Sequence, residues 1–226
     1  MPNQPRELHS DKRIAEPAWT STALDGALRQ GELLLGVIEP RAIHLEVQQD
    51  DLNPRIRYDS IEHGFLIVIS QDCDLQFDQK SRQSIESGKG VDKKARAKIV
   101  AEREGRNMHH ILLLEAKPAG EVRRREDVNS KAWETIKINR NEQYHFLEGV
   151  PEEHDLRGEG MPELTVDFRR HLSLPRDLVY SQLSEQIIER RSRLDQPYRE
   201  QLQNRFAAYL ARVGLPLEHR SAPEGS

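Results

Sequence analysis

The sequence predicts an α+β fold: a small barrel-like or strongly bent, mostly antiparallel sheet with a helical excursion and a C-terminal helical hairpin. Three observations lead there. Short apolar runs, several alternating with period two, recur through the first three quarters of the chain. One charged stretch, residues 78–106, interrupts them with nine Lys or Arg and five Asp or Glu. After Pro175 the apolar spacing changes to threes and fours, the period of a helix face.

Residues 1–20 carry three prolines and many charges without apolar periodicity, so a flexible N-terminal arm is expected there. A β-rich body should span 21–172. In it, Leu33 to Ile38 reads as one strand closed by Pro40, and Ile43 to Val47 alternates as a second. Phe65 to Ile69 reads as a central strand buried on both faces, and Ile111 to Glu115 as another lying beside it. Between them, Gly88 and Gly90 divide the charged excursion. Its second piece is expected to be helical, capped by Asp92 and striped by Ala95, Ile99 and Val100. Ile136 and Ile138, Tyr144 to Leu147, and Leu164 to Phe168 supply three further strands, for seven in all. Over 173–216 a helix from Leu178 to Leu194 and another through Tyr198, Leu202, Phe206, Tyr209 and Val213 form the hairpin, and 217–226 should be a flexible tail.

A net charge of −4 gives no global attraction to nucleic acid, so only a local basic patch could bind it. A single cysteine excludes an intrachain disulfide and a multi-cysteine zinc site, and the first residues lack a signal-peptide pattern. A soluble, cytoplasmic protein with no membrane association is expected, since no apolar run nears the ~18 residues that cross a bilayer.

The best site candidate is Ser70-Gln71-Asp72-Cys73-Asp74, which ends the most apolar run and holds the lone cysteine between two aspartates. If strand geometry persisted, Asp72 and Asp74 would share a face and could share Mg²⁺ or Mn²⁺. The favoured reading is structural. These residue types make side-chain-to-backbone turns at strand ends, and a cysteine there is commonly a small core side chain. A nucleophilic Cys73 would need a histidine or a helix N-terminus from elsewhere in the fold.

Three resemblances add expectations. An aspartate strand followed by one ending in Glu115-Ala116-Lys117 resembles restriction-endonuclease-like nucleases, which implies a metal-dependent nuclease with Asp72 or Asp74 and Glu115 as ligands and Lys117 assisting water. The usual short hairpin spacing and following helix are missing. Gly31-Glu32-Leu33, a loop, then Gly64 to Ser70 resembles the opening of PemK-like ribonuclease toxins. That implies an SH3-like barrel, with a toxin-like ribonuclease as an alternative. The blocks Ser70 to Leu75, Pro197 to Phe206 and Arg212 to Pro216 are similar to those of an uncharacterised bacterial family of mobile or conflict-related loci. This resemblance implies a component of an antiviral defence or toxin system and brings no activity with it.

For partners, Lys93, Lys94, Arg96, Arg123, Arg124 and Arg125 form the local basic patch that could meet phosphates. Neighbouring acids and the lack of aromatic residues between Phe77 and Trp133 favour a solvated surface instead. Arg199, Arg205 and Arg212 lie off the apolar face of the last helix, where they could be displayed to a larger protein subunit. The leading expectation is a non-catalytic accessory or adaptor subunit without a cofactor.

Overall fold

A computed structural model describes residues 18–21, 26–46, 55–87 and 108–212. Seven strands form one antiparallel sheet: β1 (Trp19–Thr20), β2 (Glu32–Glu46), β3 (Arg55–Val68), β4 (His110–Pro118), β5 (Tyr144–Leu147), β6 (Leu164–Pro175) and β7 (Glu189–Leu194). Among the described residues five α-helices accompany them: α1 (Asp72–Ser87), α2 (Ala119–Arg123), α3 (Ser130–Lys137), α4 (Arg176–Ser184) and α5 (Tyr198–Leu210). Strand order is β1-β7-β2-β3-β4-β6-β5. The expected barrel is therefore not formed: the sheet is open and ends on its two shortest strands, which limits the exposed edge.

The central strands bury both faces, which explains their unbroken apolar runs. Leu33, Ile67, Leu114 and Phe168 pack with Leu202 and Phe206 of α5 on one side. Leu34, Leu66, Val68, Ile111 and Leu113 pack with Leu75 of α1 and Val179 of α4 on the other. A smaller cluster joins α2, α3 and β5 through Val122, Ile136 and Phe146, with Trp133 set against it edge-on to Phe146.

Strand β4 lies beside β3, as its sequence predicts. Several other expectations are corrected. Pro40 does not close a strand, because β2 runs through it to Glu46. Proline is tolerated there because β7 pairs only with Glu32 to Leu35, leaving the β2 edge at Pro40 without a ladder partner. Ile136 and Ile138 belong to no strand. Asn129 caps α3 by accepting from the Ala132 amide (2.9 Å), Ile136 is buried as part of that helix, and Ile138 lies exposed just beyond its end.

The C-terminal hairpin is also replaced. Helical spacing holds only to Leu183; the chain then turns through Gln186 at φ 59° and enters β7, which separates α4 from α5. Trp19 and Thr20, expected in the arm, form β1 against β7, with the indole buried and donating to the Glu148 carbonyl at 2.9 Å. The expected helix over the second half of the excursion, residues 1–17 and the tail lie outside the described residues.

Candidate functional site

Where β3 ends, the Ser70 hydroxyl accepts from the Leu112 amide (2.9 Å) and so extends the pairing with β4 by one side chain. The chain then turns into a helix. The Gln71 carbonyl takes the first helical bond from Leu75, so Asp72, Cys73 and Asp74 occupy the first turn of α1, where acids suit the helix dipole. The period-two alternation expected for the two aspartates therefore does not exist. Asp72 turns inward, whereas Cys73 and Asp74 are exposed.

Asp72 is the centre of an ionic hub. Its Oδ1 accepts from Arg29 Nε (3.0 Å) and the Gln30 amide (2.8 Å), and its Oδ2 from Arg29 Nη2 (3.1 Å) and Arg199 Nη1 (2.9 Å). Burial alone would raise the carboxyl. Hydrogen bonds from Arg29 and Gln30, with the charges of Arg29 and Arg199, hold it below the usual aspartate value instead. Gln30 adds a bond from its side-chain Nε2 to Gln203 Oε1 on α5 (2.8 Å). Gly31, at φ +82°, makes the approach feasible: a Cβ there would sit 3.2 Å from both Arg199 Cγ and Leu194 Cβ.

Three distant segments thus meet at one point: the turn 29–31, the 70–75 motif and the start of α5. Two of these are the blocks that carry the bacterial resemblance. Sequence reasoning missed Arg29 and Gln30, which sit in an ordinary polar turn with no motif of their own. The only local signal was Gly31 ahead of an apolar run.

The hub is not built for metal chemistry. Four donors fill the lone-pair positions of the Asp72 carboxylate. Glu115 accepts from Arg170 Nη1 (3.1 Å) and faces Lys117 Nζ (3.8 Å). Because β3 and β4 run antiparallel, Glu115 lies opposite Leu66, while Asp72 lies beyond Val68 in the other direction. The nuclease expectation required these groups to converge, and the register separates them. Among the described residues no three His, Cys, Asp or Glu side chains group to hold a metal ion. Cys73 gains the helix N-terminus, but its Sγ lies against Gln71 Oε1 (3.6 Å) and Asp74 Oδ1 (3.7 Å), with no imidazole in that pair of contacts.

The arginines expected to face a partner are mostly spent inside the fold. Arg199 binds Asp72 and Glu200. Arg205 donates to the carbonyls of Asn141 and Tyr144. Arg212 is exposed and pairs with Glu142 at 3.1 Å over the Tyr209 ring. In the basic patch, Arg123 binds the Val128 carbonyl and Ser130, Arg125 forks onto Asp127, and Arg124 is exposed, while Lys93, Lys94 and Arg96 lie outside the described residues.

Compared with known proteins, the chain matches no family model, no curated protein and no solved structure. No described helix is long and apolar enough to cross a membrane.

Proposed function

We propose that this chain is a non-catalytic adaptor subunit of a larger bacterial assembly, of the antiviral-defence kind that its motif blocks imply. The reading rests on the β2–β3 ribbon. Beyond Leu35 and Phe65 these strands lose their outer neighbours, since β7 pairs only with Glu32 to Leu35 and β4 only with Phe65 to Val68. From Val37 to Glu46 and from Arg55 to His63 the ladder is two-stranded, roughly 30 Å long at the usual rise.

Such a ribbon is marginal in water on its own. The body secures its base. Gln182 of α4 bonds the Ile38 backbone at both amide (2.8 Å) and carbonyl (2.7 Å), while His63 and Glu39 link the two strands of the ribbon to each other at 3.1 Å. Further out, Pro40 to Ala42 and Tyr58 to Ser60 are exposed, Tyr58 to 63%. Open strand edges with an aromatic anchor suit strand addition to a partner protein. The saturated Asp72 hub then serves to hold the body rigid under the ribbon.

The test is co-expression with the products of adjacent genes, followed by size-exclusion chromatography. A second protein joined by an Asn-Gly turn between Glu39 and Ile61, which face each other across the ribbon, removes the ribbon and leaves the body. The full chain should elute in a stable complex and the shortened chain alone. An unchanged complex, or Mg²⁺-dependent nucleic-acid cleavage lost on Asp74→Ala, defeats the reading.

A further inference from the structure

A groove of about 330 Å³ opens between α1 and β7, lined by Gly26, Ala27, Arg29, Gln76, Gln79, Lys80, Arg190 and Arg193, with no acidic residue in its wall among the described residues. Gln76, Gln79 and Lys80 stand at i, i+3 and i+4 and so share one face of α1. Two arginines three residues apart on a strand should point to opposite sides. Here the β2–β7 register steps from Leu33↔Ser192 directly to Leu34↔Arg190, which makes Arg191 the bulged residue and returns Arg190 and Arg193 to the same face.

Among the described residues, the nearby carboxylates Asp72 and Glu32 are committed elsewhere. Asp72 takes Arg29, and Glu32, although it stands opposite Arg193 in the ladder, bonds Arg190 Nε (2.7 Å) and Nη2 (2.6 Å) and the Arg29 amide (2.8 Å). Arg193 is half-buried and has no acidic partner among the described residues, and its Nε is buried without any hydrogen-bond acceptor. Buried donors are rarely left so, and a guanidinium with no acceptor in a wall of cations and amides asks for an anion.

A second groove of about 740 Å³ shares Gly26 and Arg190 with the first. Its wall includes Leu156, Leu183 and Ile188, together with Tyr180, whose hydroxyl is buried without a partner. Burial pushes that phenol above its ordinary value, so at neutral pH it remains a donor. Two unpartnered donors therefore lie in adjoining grooves, the first cationic, the second mixing these apolar side chains with Arg82, Arg157, Arg191 and Glu189, whose Oε2 is likewise buried without a partner.

We propose that the adjoining grooves bind a phosphate-bearing small molecule: the phosphoryl group against Arg193 with Gln76 and Gln79 as further donors, and the organic part along Leu156, Leu183 and Ile188, with a hydroxyl or amine to meet Glu189. A carboxylate has one charge and too few acceptors to use this wall, whereas a phosphoryl group matches guanidinium forks and amides together. A polynucleotide is disfavoured by the net charge of −4, which provides no long-range attraction.

Calorimetric titration of the full chain at low ionic strength with inorganic pyrophosphate, ADP and a ten-nucleotide oligo-dT decides the matter. Pyrophosphate and ADP should each saturate one site, ADP the more tightly, and Arg193→Gln should weaken both by roughly tenfold or more. Arg193 forms no ion pair among the described residues, so the variant should keep the parent denaturation midpoint. If it does not, Lys80→Met on the exposed side of α1 replaces it and should weaken pyrophosphate severalfold. Absence of saturation by pyrophosphate, affinity unchanged in the folded variant, or oligo-dT binding more tightly than ADP overturns the proposal. The ribbon-shortened chain should still bind pyrophosphate, which separates this site from the adaptor reading.

Discussion

Strands β4 and β7 both lie inside the sheet, yet they are buried by opposite means. In β4, Ile111, Leu113 and Leu114 are fully buried and need nothing but close-packed neighbours. In β7, Arg190, Arg191 and Ser192 are buried, and each arginine carries its own counter-charge: Glu32 for Arg190, Asp155 for Arg191 (2.8 and 2.7 Å). The first strand depends on the solvent it excludes, the second on partners that arrive from far along the chain. Folding β7 therefore requires that β2 and the 155–159 turn be in place, whereas β4 would bury its side chains against any apolar surface.

The largest effect should come from breaking that dependence. Glu32→Leu leaves Arg190 buried with no carboxylate from the ladder and should cost roughly 3–5 kcal/mol in urea unfolding. Adding Arg190→Met should recover most of the loss, because a well-packed apolar pair can match a buried ion pair. A double variant as unstable as the single would mean that Glu32 acts by some route other than Arg190. In β4, Leu114→Ala should cost about 3 kcal/mol through lost burial and the cavity left behind, with no second substitution on a charged residue able to restore it.

This contrast also explains what could be read from the sequence. Runs such as Phe65 to Ile69 and Ile111 to Glu115 announce buried strands because the chemistry of burial is written in the residues themselves. Arg190-Arg191-Ser192-Arg193 looks solvent-exposed, so the flanking Ile188 and Leu194 were absorbed into a helical pattern that the chain abandons at Gln186. Of the seven expected strands, four stand in place within β3, β4, β5 and β6. One expected strand is the end of α3, two are halves of β2, and β1 and β7 were hidden. Likewise the 70–74 motif was legible as a place but not as a geometry, since Ser, Gln and Asp close a strand and open a helix with equal ease. The partners of Asp72 could not be found locally, because Arg29 lies 43 residues before it and Arg199 lies 127 after it.

A third kind of burial sharpens the comparison. His145 in β5 is buried beside Phe168 with Nδ1 unpartnered, an apolar solution applied to a polar group. Burial, aided by the charge of Arg205, pushes its pKa down to about 3. As pH falls below the ordinary 6.5, the unfolded chain takes up the proton that the folded one refuses, so stability is lost between 6.5 and 3. The loss should reach about 2 kcal/mol by pH 5. Replacing His145 with Leu should flatten this slope; a slope of the same steepness in His145→Leu would assign it to other groups.

The smallest effects belong to the start of α1, where neighbouring aspartates receive opposite treatment. Asp72 is held by two guanidiniums and a backbone amide, but part of it remains open to solvent, which screens the ion pairs. Asp72→Asn should therefore cost about 1–2 kcal/mol, less than losing Glu32, although both carboxylates serve arginines. Asp74, exposed on the next side of the helix, should be neutral to within about 0.5 kcal/mol when changed to Ala. Added Mg²⁺ or Mn²⁺ should not shift the unfolding midpoint of the parent or of either variant, because the Asp72 oxygens are already filled. A metal-induced rise in the parent that disappears in Asp74→Ala would show that the two acids act together on a cation, and the hub would then be a site of chemistry instead of a clamp between β2, α1 and α5.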